Sequence, residues 1–436
     1  MIIPFIIIGV ILLIFIYSLI KRNNYSIILG FIFFVEMFWA LASCGYLDFT
    51  QTYISEIGVT SFYTGAFFRM ILLYLPFLII MATFKVSPNS NQRRVIFINL
   101  DTESLYSLFE LITFLVVGYS ILDMLISGIP LFSDHITRIN YSDYSKLPFA
   151  TKINGEITFF CFFVCGLSFS RKKQNFKLHR IICLMLLLIS LIGRFLMEYK
   201  YHGIYNILLS FLIPIIIDKL YSNGFKMINF RTFVKFGFGI LLILLLSLFI
   251  YSLTSSNAKE LLFDRIFALQ AQTFWKLDEI LISTNNYGFK MDNFMNEWYA
   301  IVNNLGQMDE NSGIIAVMKK IVNSTVVNDN LANGVRFAGG YLTIGINTVG
   351  YLGTLFLSIL VGLLVVFVFK ILLSSILNQE FVLLYFAQSL FWDLLDYFRI
   401  GNFCIILNTK TVISFIIVFL LFIVKIPKKR NELINN

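Results

Sequence analysis

Four groups of residues in this 436-residue chain place charge beside a turn or a helix end, where it could do chemistry. The first is GIPLFSDHITRINYSDYSK, Gly128 to Lys146, in which Arg138 follows a proline-broken apolar entry and Asp134, His135 and Tyr141 stand close by. An arginine fork at a membrane–water boundary suits a diphosphate, because it offers paired donors and keeps its charge. Interfacial anchoring is the other reading of Arg138, and an ordinary surface position that of His135. The second group is Arg194, Glu198, Lys200, His202 and Gly203. Arg194 falls inside an apolar run, where a charge costs about 2.5–3.5 kcal/mol, so it should face a water-filled cavity or a partner unless it snorkels to the surface. The third is NGVRFAGGYLTIG, Asn333 to Gly345. Gly339 and Gly340 there permit positive φ or close approach of a ligand, and Arg336 stands near a helix N-terminus that already favours an anion. The fourth is Asp393, Asp396 and Arg399, at i, i+3 and i+6 on one helix. A buried Asp393 or Asp396 could deprotonate a sugar hydroxyl, and an internal Asp–Arg pair is an equal alternative. Glu36 and Arg69 stand at comparable depth in their helices and read as a structural ion pair.

The elements that must position these groups are membrane spans. Hydrophobic residues make up 58% of the chain and charged ones only 14%, with a mean hydropathy of +0.81, which sets a soluble domain aside. A span needs about 20 largely apolar residues. Eleven stretches qualify: 2–20, 26–46, 61–84, 105–127, 154–170, 179–197, 202–218, 235–253, 343–369, 380–398 and 410–426. The seventh is short and holds Pro214, and the tenth is interrupted by Asp393 and Asp396. The fold class is therefore an all-α polytopic membrane protein with about 11 transmembrane helices (10–12).

Lysine and arginine in the short connections orient the chain. Nineteen of the 34 basic residues, from Lys21 and Arg22 to the tail Lys425, Lys428, Lys429 and Arg430, fall on one side. That side reads as cytoplasmic, with the N-terminus outside and the C-terminus inside. The net charge of +9 is then mostly a topology signal. A nucleic-acid role is excluded, because no basic stretch is interleaved with stacking aromatics on a polar surface. The first span has neither a basic leader nor a small-residue cleavage site, so it reads as retained. Cys44, Cys161, Cys165, Cys183 and Cys404 lie in or beside apolar runs and read as small packed hydrophobes. Cys161 and Cys165 are one turn apart, but no histidine or third cysteine is near them in sequence. No P-loop, HExxH or GxSxG is present.

The expected organisation is an N-terminal bundle over 1–253 with an outer loop at 128–153, a large extracytoplasmic loop at 254–342, and a C-terminal bundle with a basic tail over 343–436. The large loop is the one outer segment able to hold a small folded unit. Its apolar clusters, Leu261, Leu262, Ile266, Phe267 and Leu269, then Ile280, Leu281 and Ile282, suggest helices on the membrane surface. Arginines spread over three outer loops point to an anionic ligand with a membrane-embedded tail.

With these features the chain resembles the Wzy-type O-antigen and capsule repeat-unit polymerases. The likeness covers the architecture of many spans and one large outer loop. At residue level it rests on Gly128, Pro130, Phe132, Arg138 and Tyr141, on Lys200 and Gly203, and on Asn333, Gly334, Arg336, Phe337, Gly339, Gly340 and Tyr341. The resemblance implies a glycosyltransferase of the bacterial cytoplasmic membrane that needs no metal or other cofactor. It would move a growing glycan from its undecaprenyl diphosphate carrier onto the next lipid-linked repeat unit, with a chain-length regulator in the membrane as a possible partner. Arg138, Arg336, Arg194 and Lys200 would neutralise the diphosphate, and Asp134, His135, Asp393 and His202 are the base candidates. A ligase of similar architecture, or a flippase for lipid-linked oligosaccharide, remains an alternative. A flippase should show two related halves and short outer loops, and this sequence shows neither.

Overall fold

A computed structural model describes residues 2–88, 102–133, 135–136, 140–150, 153–171, 176–198, 202–225, 263–264, 266–306, 309–332 and 335–423. The described chain is almost wholly helical. Seven of its helices are long and apolar enough to cross a membrane: α1 (Ile2–Lys21), α2 (Phe31–Phe49), α3 (Ala66–Thr83), α4 (Thr102–Ser127), α6 (Phe176–Leu196), α7 (His202–Asn223) and α13 (Gly350–Asn378). Two shorter apolar helices, α5 (Thr158–Arg171) and α15 (Thr409–Ile423), match expected spans in position. The expected span at 235–253 lies outside the described residues.

Contacts divide the chain into two compact units. One comprises Met1–Pro88, Ser255–Ile371 and Ser389–Leu420; the other comprises Asn89–Thr254, Leu372–Gln388 and Leu421–Asn436. These boundaries differ from the three-part organisation read from the sequence, because residues 255–371 fall in one unit with 1–88 and 389–420.

In the first unit, α2 and α3 are joined through a two-residue antiparallel pairing, Tyr53 with Thr60 and Ile54 with Val59. Asp48, buried near the end of α2, caps α3 across the turn. Its Oδ1 accepts from the Thr64 N–H at 2.7 Å and the Gly65 N–H at 3.1 Å, and its Oδ2 from the Phe67 N–H at 3.2 Å. A carboxylate placed there satisfies donors that the helix itself leaves open and complements its dipole.

The segment between 254 and 342 contributes α8 (Gln272–Ser283), α9 (Met291–Val302), α10 (Gly313–Ile321) and α11 (Ser324–Ala332). The surface position expected for Ile280, Leu281 and Ile282 does not hold. Helix α8 is inserted into the unit, with Phe274, Trp275, Leu277, Asp278 and Leu281 buried. Two polar anchors explain why. Trp39 Nε1 and Ser43 Oγ on α2 donate to the carbonyls of Ile266 and Ala268, at 2.7 and 3.0 Å. Arg69 on α3 holds the fully buried Asp278 through Nε, at 2.9 and 3.1 Å, and through a 2.5 Å ion pair. The Tyr351 hydroxyl adds a hydrogen bond to Asp278 at 2.6 Å. Arg69 is therefore not paired with Glu36, as its depth suggested; Glu36 instead accepts from Arg399 Nε at 2.9 Å.

The expected ninth span is two helices, α12 (Gly340–Thr348) and α13. They part at Gly350, whose φ is +72° and where a Cβ would lie 2.5 Å from the Tyr287 carbonyl oxygen, so the backbone geometry and the neighbour both require glycine. The tenth span, whose apolar run the two aspartates interrupt, is one continuous helix: α14 (Phe381–Ile400) runs through Asp393 and Asp396. Thr411 Oγ1 donates to Asp393 Oδ2 at 2.8 Å, and Arg399 reaches Asp396 at 3.5 Å, so both carboxylates find partners.

The second unit centres on α4, α5, α6 and α7, with Val117, Phe162, Cys165, Cys183, Leu187, Ile207, Phe211 and Ile215 in its core. Asp123, buried on α4, folds the segment that follows back onto the helix. It accepts from Ser127 Oγ at 3.0 Å, Tyr141 Oη at 2.8 Å, Ser145 Oγ at 2.9 Å and the Leu147 N–H at 3.1 Å.

Candidate functional site

The sequence-derived residues are distributed over both units. In the second unit, Asp134, Arg138 and Lys200 lie outside the described residues, and His202 opens α7. His135 is exposed, and its carbonyl accepts from Asn140 Nδ2 at 3.0 Å. Arg194 does not snorkel: it is 7% exposed, stacks over the Phe159 ring at 5.9 Å and lines a narrow crevice with Ser120, Thr158 and Ser190.

In the first unit, Arg336 is half-buried, and the chain beside it is tightly held. The Val335 N–H donates to the Asn330 carbonyl at 2.7 Å, Thr273 Oγ1 donates to the Ala338 carbonyl, and Phe337 and Tyr341 are buried. Gly340 has φ +69°, and a Cβ there would sit 3.3 Å from the Phe398 carbonyl oxygen. Positive φ, one of the two readings of this pair, occurs at Gly340; the close approach it allows is to the last turn of α14.

Around that crossing the structure assembles a site not read from the sequence. Helix α10 begins at Gly313, and its first two amides are capped by side chains from distant elements. The Gly313 N–H donates to Glu297 Oε1 at 2.5 Å, and the Ile314 N–H donates to Asn402 Oδ1 at 3.0 Å. Gly339 packs against the Ile314 side chain, and Gly401 against the Gly340 carbonyl. The first turn of α10, the Gly339–Gly340 strand of chain and the exit of α14 thus meet at one point, with Glu297 from α9 entering from the side. Glu297 is 3% exposed, and its Oε2 has no hydrogen-bond partner among the described residues. Burial pushes its carboxyl up from the ordinary 4.5 to about 7; the Gly313 N–H opposes that rise, and Asp309 adds to it. A carboxyl titrating near neutrality can accept a hydroxyl proton or return one. Asp393 lies elsewhere on α14 with one oxygen engaged by Thr411.

Glu297 escaped the sequence reading because its helix is inverted. Asn293, Glu297, Ala300 and Ile301 face inward, while Met291, Phe294, Met295, Trp298, Tyr299 and Val302 face out. The helical spacing of Met291, Phe294, Met295, Trp298, Tyr299 and Val302 was the available signal, since it leaves Glu297 on the opposite face.

A polar triangle in the second unit was also invisible in sequence. His179 Nδ1 lies 2.8 Å from Glu110 Oε2, His179 Nε2 lies 2.9 Å from Ser168 Oγ, and Ser168 Oγ donates to Glu110 Oε1 at 2.5 Å. Cys183 Sγ is 4.0 Å from His179 Nε2, so a histidine and a further cysteine do reach the Cys165 neighbourhood. Glu110, His179 and Cys183 bring their ligand atoms within 4.8 Å of one another. Both imidazole nitrogens and both carboxylate oxygens are already engaged within the triangle, which satisfies these buried groups without an ion.

No curated protein and no solved structure matches the chain. Residues 307–416, from just before α10 into α15, match the model of DUF6418, a family of unknown function.

Proposed function

We propose that this protein is a membrane-embedded glycosyltransferase that polymerises undecaprenyl-diphosphate-linked oligosaccharide repeat units into surface polysaccharide. It would act at the extracytoplasmic face of the bacterial cytoplasmic membrane, with its N-terminus outside and its C-terminus inside. One observation carries this reading: the outer segment, folded into a unit with membrane helices, holds both a buried carboxyl that titrates near neutrality, Glu297, and the half-buried cation Arg336.

In the reaction a hydroxyl of the incoming repeat unit attacks the anomeric carbon of the growing glycan. The new C–O bond forms as the bond to the lipid diphosphate breaks, and the hydroxyl proton passes to a carboxylate. Glu297 joins Asp134, His135, Asp393 and His202 as a base for that proton. Arg336 in the first unit, and Arg138, Arg194 and Lys200 in the second, are separate candidates for the positive charge that neutralises the departing diphosphate, the electrostatic contribution that a metal ion makes in other phosphate chemistry.

The test is glycan profiling of a deletion strain complemented with wild type, Arg138→Ala, Arg336→Ala or Glu297→Gln, each checked for membrane expression. The expected result is surface glycan ending at a single repeat unit in the deletion and in the variants. Lipid-linked units accumulating on the cytoplasmic face would make the protein a transporter. Full-length glycan in the variants alone would return those residues to structural roles.

A further inference from the structure

Helix α9 presents Met291, Phe294, Met295, Trp298, Tyr299 and Val302 to the outside, each between 37% and 64% exposed. At 100° per residue these six fall on one continuous stripe, and the polar residues Asn293 and Glu297 fall on the opposite, inward face. An apolar face turned out and a polar face turned in is the reverse of a helix meeting water. A tryptophan and a tyrosine beside methionines are side chains that settle at the boundary between lipid tails and headgroups.

The start of α9 is tied to the start of a membrane helix. The Lys290 N–H donates to the Thr348 carbonyl at 2.9 Å, and the Tyr351 N–H donates to the Tyr287 carbonyl at 3.2 Å. The outward stripe of α13 begins at once, with Leu352 69% and Phe356 61% exposed. Lys290 and the first turn of α9 are therefore held at the level of the first turn of α13.

Two lysines are attached to adjacent residues at that level, Lys290 through its backbone to Thr348 and Lys320 through its ammonium to Asn347. Lys320 on α10 donates to Asn347 Oδ1 at 2.7 Å, and Asn293 on α9 donates to the carbonyl oxygen of the same Asn347. Lys320 is exposed as a residue, but desolvation of its ammonium, and then the charge of Lys290, pull it down to about 8; partial burial lowers Lys290 as well. Among the described residues neither ammonium is in an ion pair, whereas the adjacent Lys319 pairs with Glu310 at 2.7 Å. Two lysines near enough for one charge to lower the other, with no acidic partner among the described residues and beside an outward apolar helix, suit an anion that carries hydrocarbon.

We propose that Lys290 and Lys320 bind the phosphate of an anionic phospholipid whose acyl chains lie along the apolar face of α9. The site requires that α13 crosses the bilayer, and it holds whichever leaflet its first turn meets. It is thus independent of the polymerase reading.

The test uses the full chain in phosphatidylcholine nanodiscs with and without phosphatidylglycerol. Native mass spectrometry counts retained phosphatidylglycerol for wild type, the K290Q/K320Q double variant and K319Q. Retention should fall about tenfold in the double variant and stay at the wild-type level in K319Q. In parallel, phospholipid brominated on its acyl chains should quench a tryptophan signal that disappears in W298F. Equal retention in all three proteins overturns the site, and equal loss in K319Q reduces it to bulk charge. Absence of a bromine-quenched Trp298 signal overturns the membrane placement of α9. Retention of a polyprenyl phosphate, but not of phosphatidylglycerol, would assign the two lysines to a carrier lipid and overturn the phospholipid.

Discussion

Replacing Glu297 by glutamine separates the titration of this carboxyl from its shape. The amide keeps an acceptor for the Gly313 N–H, 2.5 Å from Oε1, and stays neutral at every pH. The rise from the ordinary 4.5 to about 7 corresponds, at ~1.4 kcal/mol per pH unit, to about 3 kcal/mol between the two protonation states. Between those two values the folded protein retains a proton that the unfolded chain has released. Wild-type stability should therefore fall as pH rises through that window and level off above it. Glutamine, which mimics the protonated acid, lacks this loss. Thermal unfolding in detergent, followed by intrinsic fluorescence, should give wild type and Glu297→Gln similar midpoints at about pH 5. By about pH 8 the variant should be the more stable by up to about 3 kcal/mol. A gap that does not change with pH would refute the argument, because Glu297 would then be titrating outside the window or exchanging with water.

Three further substitutions probe the scaffold. Asp123→Ala removes one acceptor shared by four donors, and hydrogen bonds to a charged group contribute roughly 1.5–3 kcal/mol each; limited proteolysis should cut the segment around Tyr141 to Leu147 far faster than in wild type. Asp278→Asn and Arg69→Met should each cost about 3–5 kcal/mol by stranding a partly or fully buried charge, and the double variant should cost less than their sum in a thermal double-mutant cycle. Gly340→Ala forces a Cβ into the left-handed region and against the Phe398 carbonyl, costing about 1–2 kcal/mol or more; Gly339→Ala meets the movable end of Ile314 and should lower the unfolding midpoint less.

Much of the fold was legible because the bilayer imposes a length and an apolarity that sequence carries directly. Described helices occupy the positions of ten of the eleven expected spans, and the boundaries agree to within a few residues at α1, α6 and α14. Where span and helix disagree, the cause is a contact remote in sequence. The break at Gly350 is set by the backbone of Tyr287 and Gly288, and the continuity of α14 through Asp393 is supported by Thr411. The candidate site was legible only in part. Arg336 and the Gly339–Gly340 pair stood out by composition, and Arg194 by its cost in an apolar run. Glu297 did not, because its own residue type marks nothing and only the apolar spacing of its neighbours on α9 sets it on the other face.

By itself, then, the sequence determined that this is an all-α chain of membrane-spanning helices, since periods of apolar residues of bilayer length admit no other backbone that satisfies its own hydrogen bonds. It also determined where charge is rare enough to matter. Tertiary structure decided which charges meet: Arg69 with Asp278 rather than Glu36, Arg399 with Glu36, Asp123 with Tyr141, and Glu297 with the first amide of α10. It likewise decided that α8 is buried and that α9 turns its apolar face outward. Pairings of this kind join residues as much as 363 positions apart, and only the packing of helices brings such groups within hydrogen-bond reach.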